Sequence, residues 1–131
     1  MLIMGTLQID RYIGMDMFFG IEHDKRYNDV ADAKRVANIL DQMSRQEISN
    51  TLLTYQLLPV YYYLNVLRDK KEPFKFAPFA KYIDIYLIEL TGNSRQKLNE
   101  VAQSIVGETY PISSARAMRH AIITNLLSPY R

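Results

Sequence analysis

Helix start and stop signals recur along this chain, and they constrain its fold more than any other feature. Ser44, Ser94 and Ser114 each precede an apolar stripe of helical period, which is where an N-cap side chain is expected. Gly92 and Gly107 follow such stripes, at positions where helices commonly end. Ser44 is also followed three residues later by a glutamate, the spacing of a capping box. These start and stop signals predict short helices joined by turns.

The apolar residues between these signals repeat every three to four residues, the period of one helix face. Asn28 is the expected N-cap of the first such stripe. Residues 82–90 are rich in β-forming side chains, so a strand is the competing interpretation there, but length and flanking proline and glycine favour a helix. The stripes predicted to face inward are Val30, Ala33, Val36, Ala37 and Leu40; Ile48, Leu52 and Tyr55; Phe79, Ile83, Leu87 and Leu90; Leu98, Val101, Ala102 and Ile105; and Met118, Ala121, Ile122, Leu126 and Leu127.

Proline residues add two further constraints. In a continuous helix the ring of Pro59 would clash with the carbonyl group of Tyr55, so the helix must bend or end there. A long kinked helix and a break that puts Pro59 in the first turn of a new helix both satisfy this constraint. Pro78 suits the first turn of the following helix, and the residues before it read as an extended connector that Phe74 and Phe76 pin to the core.

These elements predict an all-α fold, a compact bundle of five or six helices in a single domain over residues 1–131. A chain of 131 residues that is 48% hydrophobic can bury a core without disulfides or metals. Residues 1–27 fit either a helix or a small hairpin, with a helix preferred. The apolar segment 52–67 is short and polar for a membrane span, and the start of the chain is a poor signal peptide. A cytoplasmic location is expected, in line with the absence of cysteine.

Patterns for catalysis and metal binding are missing from the sequence. It has no cysteine, no glycine-rich phosphate loop and neither the G-x-S-x-G nor the H-E-x-x-H motif. His23 lies between acidic neighbours in a charged segment, and His120 lies near Arg116 and Arg119 with no nucleophile at a suitable spacing. We therefore expect a protein that is not an enzyme and has no cofactor, no catalytic residues and no metal ligands.

Three consecutive tyrosines give the clearest indication of a binding surface. Neighbouring side chains on a helix project about 100° apart, so the three rings cannot all face one core. Tyrosine combines a large apolar ring with a polar tip and is common at protein interfaces. Burial of the rings with only their hydroxyl groups in water is the alternative. The predicted partner-binding residues form an aromatic patch with a basic rim: Tyr61, Tyr62, Tyr63, Arg68, Lys70, Lys71, Phe74 and Phe76.

The functional hypothesis from these residues is a non-enzymatic helical protein-interaction module. Its partner is expected to be another protein or a multi-subunit complex, on which it acts as a subunit, an adaptor or an inhibitor of the kind that mobile elements encode. Assembly of the chain into a homo-oligomer stays open, and no membrane partner is expected.

The C-terminal third supports an alternative, a DNA- or RNA-binding protein. Residues 1–93 carry 11 basic and 12 acidic side chains, whereas residues 94–131 carry five basic and two acidic ones. Two predicted helices joined by a turn after Gly107 have the outline of a helix-turn-helix, although the connector exceeds the usual three or four residues. The predicted nucleic-acid contacts are Lys97, Ser113, Ser114, Arg116, Arg119 and His120.

Overall fold

Six α-helices and one 3₁₀ turn make up the part of the protein that the computed structural model describes, residues 30–110 and 114–130. Within these two ranges there is no strand, so the all-α prediction is confirmed, including a helix over residues 82–90. The predictions for residues 1–27 and for the Asn28 cap lie outside the described residues. The helices are α1 (Val30–Gln42), α2 (Arg45–Tyr55), α3 (Leu58–Asp69), α4 (Phe76–Thr91), α5 (Arg95–Ile105) and α6 (Ala115–Leu127), followed by the 3₁₀ turn Ser128–Tyr130.

Local capping sets the helix boundaries. The hydroxyl of Ser44 accepts a hydrogen bond from the backbone N–H of Glu47 at 3.2 Å, and the Ser44 N–H donates to the Glu47 carboxylate at 3.4 Å. This is the reciprocal capping box that the spacing predicts. Ser94 and Ser114 cap α5 and α6 by accepting from the N–H three residues further on, at 3.3 and 3.1 Å. Gly92 ends α4 with φ of 60°, the left-handed conformation that glycine adopts without strain.

The chain breaks before Pro59 and does not kink. Helix α2 ends at Tyr55, and α3 begins at Leu58 with Pro59 in its first turn, where a missing N–H costs no helical hydrogen bond. Gln56 makes the corner with φ of 52° and ψ of −129°, a conformation that residues with a side chain rarely adopt. Its N–H still donates to the carbonyl of Leu52 at 3.0 Å.

Helix α4 lies at the centre of the bundle and contacts each of the other five helices. Its inward stripe of Phe79, Ile83 and Leu87 is completely buried. Leu90 and Ile105, predicted to face inward, are 51% and 44% exposed, so that part of the prediction is wrong. Both lie in the last turn of their helices. At the end of α4 the buried face passes through Leu87 and Thr91, four residues apart, so Leu90 between them faces away from it.

A lysine on α4 holds the end of α1 in place. The Lys81 ammonium donates to the backbone carbonyls of Leu40 at 3.4 Å, Asp41 at 3.1 Å and Met43 at 2.5 Å. The last carbonyls of a helix have no partner within the helix, and a cation there also interacts favourably with the helix dipole. Lys81 therefore fixes the turn between α1 and α2 against the central helix.

Candidate functional site

The tyrosine run of α3 divides between core and surface. Tyr63 is 1% exposed and lies on the buried face of α3 with Val60 and Leu67, because these residues are three and four positions apart. Tyr61 and Tyr62 are half-buried. The Tyr62 and Tyr63 rings meet edge to face with centroids 5.0 Å apart. The prediction that Tyr63 belongs to a surface patch is therefore wrong.

Tyr61 faces the C-terminal turn. Burial raises the pKa of its hydroxyl to about 12, with smaller contributions from the nearby hydroxyls of Tyr130 and Tyr86. In the described part of the chain, no aromatic cluster joins the tyrosine run to Phe74 and Phe76. The predicted aromatic patch is therefore not supported as one continuous surface.

A groove lies instead beside the connector between α3 and α4, and we call it the connector groove. It has a volume of about 610 Å³ and is half open to solvent. Four of the predicted partner-binding residues line it, together with three residues that the sequence did not single out. The lining residues are Arg68, Lys71, Glu72, Pro73, Phe74, Phe76 and Tyr130.

Of the three groove residues that sequence reasoning missed, Tyr130 is the one that lies far from the connector in the sequence. The 3₁₀ turn that carries it packs back against α3. The Arg68 guanidinium carbon lies 5.3 Å from the centroid of the Tyr130 ring, within the range of a cation–π interaction. The contact joins residues 62 positions apart, so it depends on tertiary packing and leaves no local signal in the sequence.

Cations outnumber acids around the connector groove. Two acids are already paired: Asp69 lies 3.5 Å from Arg68 and Glu72 lies 3.6 Å from Lys34, all four being at least partly exposed. Lys70, Lys71 and Lys75 are exposed, and none has an ion pair with an acid in the described ranges. The groove therefore presents unneutralised positive charge next to aromatic side chains.

Lys71 has an unusual backbone conformation for its residue type. Its φ is 58°, and its N–H donates to the Arg68 carbonyl at 3.0 Å, while the Glu72 N–H donates to the Leu67 carbonyl at 2.8 Å. These two bonds form a Schellman motif, in which the left-handed position is usually glycine. Lys71 therefore keeps a charged side chain at the groove where glycine would fit the backbone with less strain.

The predicted nucleic-acid contacts do not form one free surface. Arg119 has a side chain that is only 11% exposed, and its Nε donates to Asp84 at 2.7 Å. A second guanidinium nitrogen donates to the Asn93 side chain at 2.5 Å. This pairing ties α6 to α4 and contradicts a free phosphate contact at Arg119. Ser113 lies outside the described residues.

The other members of that set remain on the surface. Lys97, Arg116 and His120 are exposed, and the Ser114 hydroxyl accepts the capping bond of α6. Lys97 is in the first turn of α5, whereas Arg116 and His120 line a shallow depression between α4 and α6. These cations are too few and too scattered to form the dense basic stripe typical of nucleic-acid binding.

The described residues do not assemble a metal centre, because no group of three His, Asp or Glu side chains there is close enough to hold an ion. A broad, open depression on α5 has a volume of about 640 Å³ and is lined mainly by polar side chains, among them Asn99 and Gln103. Among the described residues that line this depression, Glu100 is the one carboxylate.

None of the helices described here is both long and apolar enough to cross a bilayer. Comparison of the chain with protein families, with curated proteins and with solved structures finds no match. The function must therefore be argued from the geometry of the site itself.

Proposed function

We propose that this protein is a non-enzymatic docking module that binds an acidic segment of a partner protein in the connector groove. The module would serve as an adaptor, inhibitor or subunit of a larger complex, and the cytoplasm is its proposed compartment. The observation that carries the proposal is the groove itself, where Arg68, Lys71, Phe74 and Phe76 line one concave surface.

Charge complementarity determines the chemistry of the partner. Lys70, Lys71 and Lys75 lack acidic partners in the described chain, so aspartate or glutamate side chains of a partner would meet these three lysines without displacing an ion pair at any of them. A segment that is positively charged, or polar without negative charge, would form no ion pairs with these lysines. Complementary potentials of this kind speed association and exclude wrong partners.

Apolar contacts would supply most of the affinity. An exposed ion pair contributes about 0–1 kcal/mol, whereas burying one large apolar side chain contributes about 1.5–3 kcal/mol. Phe74 and Phe76 both line the groove, and Phe74 is only half-buried, so a bound segment would cover the exposed part of the Phe74 ring. The lysines would then select the partner, and the phenylalanines would hold it.

The backbone of Lys71 allows the effect on stability to be separated from the effect on binding. A positive φ costs a residue with a side chain some stability, at Lys71 as at Gln56, whether or not that side chain binds a partner. Replacing Lys71 with glycine should relieve the strain of a positive φ and stabilise the fold by about 1 kcal/mol. The same change removes a cation from the groove, so stability and binding should move in opposite directions.

The test compares three immobilised full-length proteins in lysate of the native host: wild type, Lys71→Gly and Gln56→Gly. Gln56 is the matched control because it also has a positive φ, 52°, but lies at the α2–α3 corner and not in the groove. We expect wild type and Gln56→Gly to retain a partner that Lys71→Gly loses. Cross-linking the bound partner to wild type should identify an acidic segment as the part in contact. Its retention should weaken as salt is raised.

Nuclease treatment of the same lysate separates the two hypotheses. A Lys71-dependent protein partner that survives nuclease supports the docking module. If nuclease removes every captured species, or if Lys71→Gly retains the same proteins as wild type, the docking proposal fails. In the first case the DNA- or RNA-binding alternative replaces it, and binding to random duplex should then fall steeply with salt.

A further inference from the structure

A second concavity lies on the other side of the Pro73–Phe74 ridge, between α1 and the connector, and we call it the α1 pocket. Its volume is about 400 Å³. The α1 pocket and the connector groove share Pro73 and Phe74 as a common wall. A chain segment that crosses this ridge would therefore contact both concavities.

The floor of the α1 pocket is apolar and fixed. Ala37 and Leu67 line it and are 5% and 2% exposed, so they belong to the packed core. The Phe74 ring forms one wall, and it packs edge to face on the buried Phe79 ring with centroids 6.1 Å apart. A wall held by the core keeps its shape before a ligand arrives, which lowers the entropic cost of binding.

The rim of the α1 pocket is polar and positively charged. Lys34, Asn38 and Lys75 line it, and all three are exposed. Lys75 has no ion pair in residues 30–110 and 114–130. Lys34 forms an ion pair with Glu72, with 3.6 Å between its Nζ and the carboxylate oxygen Oε2. An apolar floor with a few charged groups at the mouth is the usual arrangement of a specific binding pocket.

We infer that the α1 pocket binds an aromatic side chain of the partner's acidic segment, with a flanking carboxylate on Lys34 and Lys75. A cavity of about 150 Å³ suffices to hold a benzene ring, so the α1 pocket accommodates one aromatic side chain with space for its neighbours. This inference rests on the proposed function, which supplies the acidic segment. Beyond that function, it specifies that the segment carries an aromatic residue with an acidic residue beside it.

Glu72 acts as an internal competitor for this ligand. It lines the connector groove, while its ion-pair partner Lys34 lines the α1 pocket, so the pair spans the ridge between the two concavities. A carboxylate from the partner would take the place of the Glu72 carboxylate at Lys34. Removing the Glu72 charge should therefore tighten binding.

The test uses ¹⁵N-labelled full-length protein and three blocked tripeptides: acetyl-Asp-Phe-Asp-amide, acetyl-Asn-Phe-Asn-amide and acetyl-Asp-Ala-Asp-amide. The first should shift the amide signals of Ala37, Asn38, Leu67 and Lys75, because these residues line the pocket. The neutral and the alanine peptides should each bind at least about fivefold more weakly, since one lacks the charges and the other lacks the ring.

Variants identify the residues responsible. The double variant Lys34→Gln with Lys75→Gln should weaken acetyl-Asp-Phe-Asp-amide about fivefold. Lys70→Gln is the matched control, because Lys70 is an exposed lysine of the same connector that lines neither concavity. It should leave affinity within about twofold of wild type, whereas Glu72→Gln should raise affinity by about twofold or more.

The outcomes separate this inference from the proposed function. If the three tripeptides bind equally, or if none shifts the pocket signals, the α1 pocket is not an aromatic anchor site, and a Lys71-dependent partner would still support the docking module. If acetyl-Asp-Phe-Asp-amide binds as expected but no Lys71-dependent partner exists, the pocket preference stands and the proposed function fails.

Discussion

At the scale of single residues, the cations of this protein have separate tasks that residue type alone does not reveal. Lys81 holds three carbonyls at the end of α1, and Arg119 pairs with Asp84 between α4 and α6. Lys71 and Lys75 have no such contacts in the described chain. The contacts of the first two join elements of the fold, whereas the last two are the cations that the proposed function assigns to the partner.

Replacing Lys81 with methionine should lower the free energy of unfolding by about 1.5–3 kcal/mol, because three backbone carbonyls lose a charged donor while the aliphatic stem remains. Urea unfolding followed by circular dichroism measures this loss. Lys97→Met is the control, since Lys97 is exposed, and a surface change of this kind stays within about 0.5 kcal/mol. Equal effects of the two substitutions would show that the Lys81 contacts contribute nothing.

At the scale of elements, the helix boundaries were predictable because their signals are local. A serine hydroxyl caps an N–H three residues away, and a glycine ends a helix through its own φ, so a short window contains the cause. Leu90 and Tyr63 were placed wrongly because their burial depends on neighbouring helices. The spacing of apolar residues predicts which side chains share one face of a helix. Whether another helix covers that face depends on tertiary packing.

The candidate site was predictable to the same extent. Phe74 and Phe76 lie near Arg68 and Lys71 in the sequence, so their joint position on one connector follows from short-range proximity. Tyr130 and Lys34 are distant in sequence and reach the same region only through the fold. Long-range contacts of this kind leave no local pattern in the sequence. The prediction therefore centred the patch on the tyrosine run and included four of the seven residues that line the connector groove.

The corner between α2 and α3 offers a test of backbone strain. Gln56 has φ of 52° and ψ of −129°, which glycine adopts readily and other residues do not. Gln56→Gly should therefore raise the free energy of unfolding by about 1 kcal/mol. Glu100→Gly, at an exposed interior position of α5, should lower it by about 0.5–1 kcal/mol. Denaturation midpoints measure both, and a loss of stability in Gln56→Gly would contradict the argument.

At the scale of the whole molecule, α4 makes the bundle one cooperative unit. Each of the other five described helices packs against α4, so moving any of them away from α4 would expose part of the buried stripe of α4. Folding should therefore be all or none, as is usual for single domains of this size. The far-UV signal of the helices and the fluorescence of the ten tyrosines should report one transition.

Two leucines of α4 test this organisation with the same chemical change. Leu87 is completely buried and Leu90 is 51% exposed, one turn further along the helix. Leu87→Ala should cost about 2–5 kcal/mol, because it leaves a cavity where the surrounding helices meet, and both spectroscopic signals should shift together. Leu90→Ala should cost less than about 0.5 kcal/mol, because little buried contact is lost and alanine favours the helix. Separate transitions in Leu87→Ala would show that the helices around α4 unfold independently, and equal losses in the two variants would show that Leu90 is covered in solution.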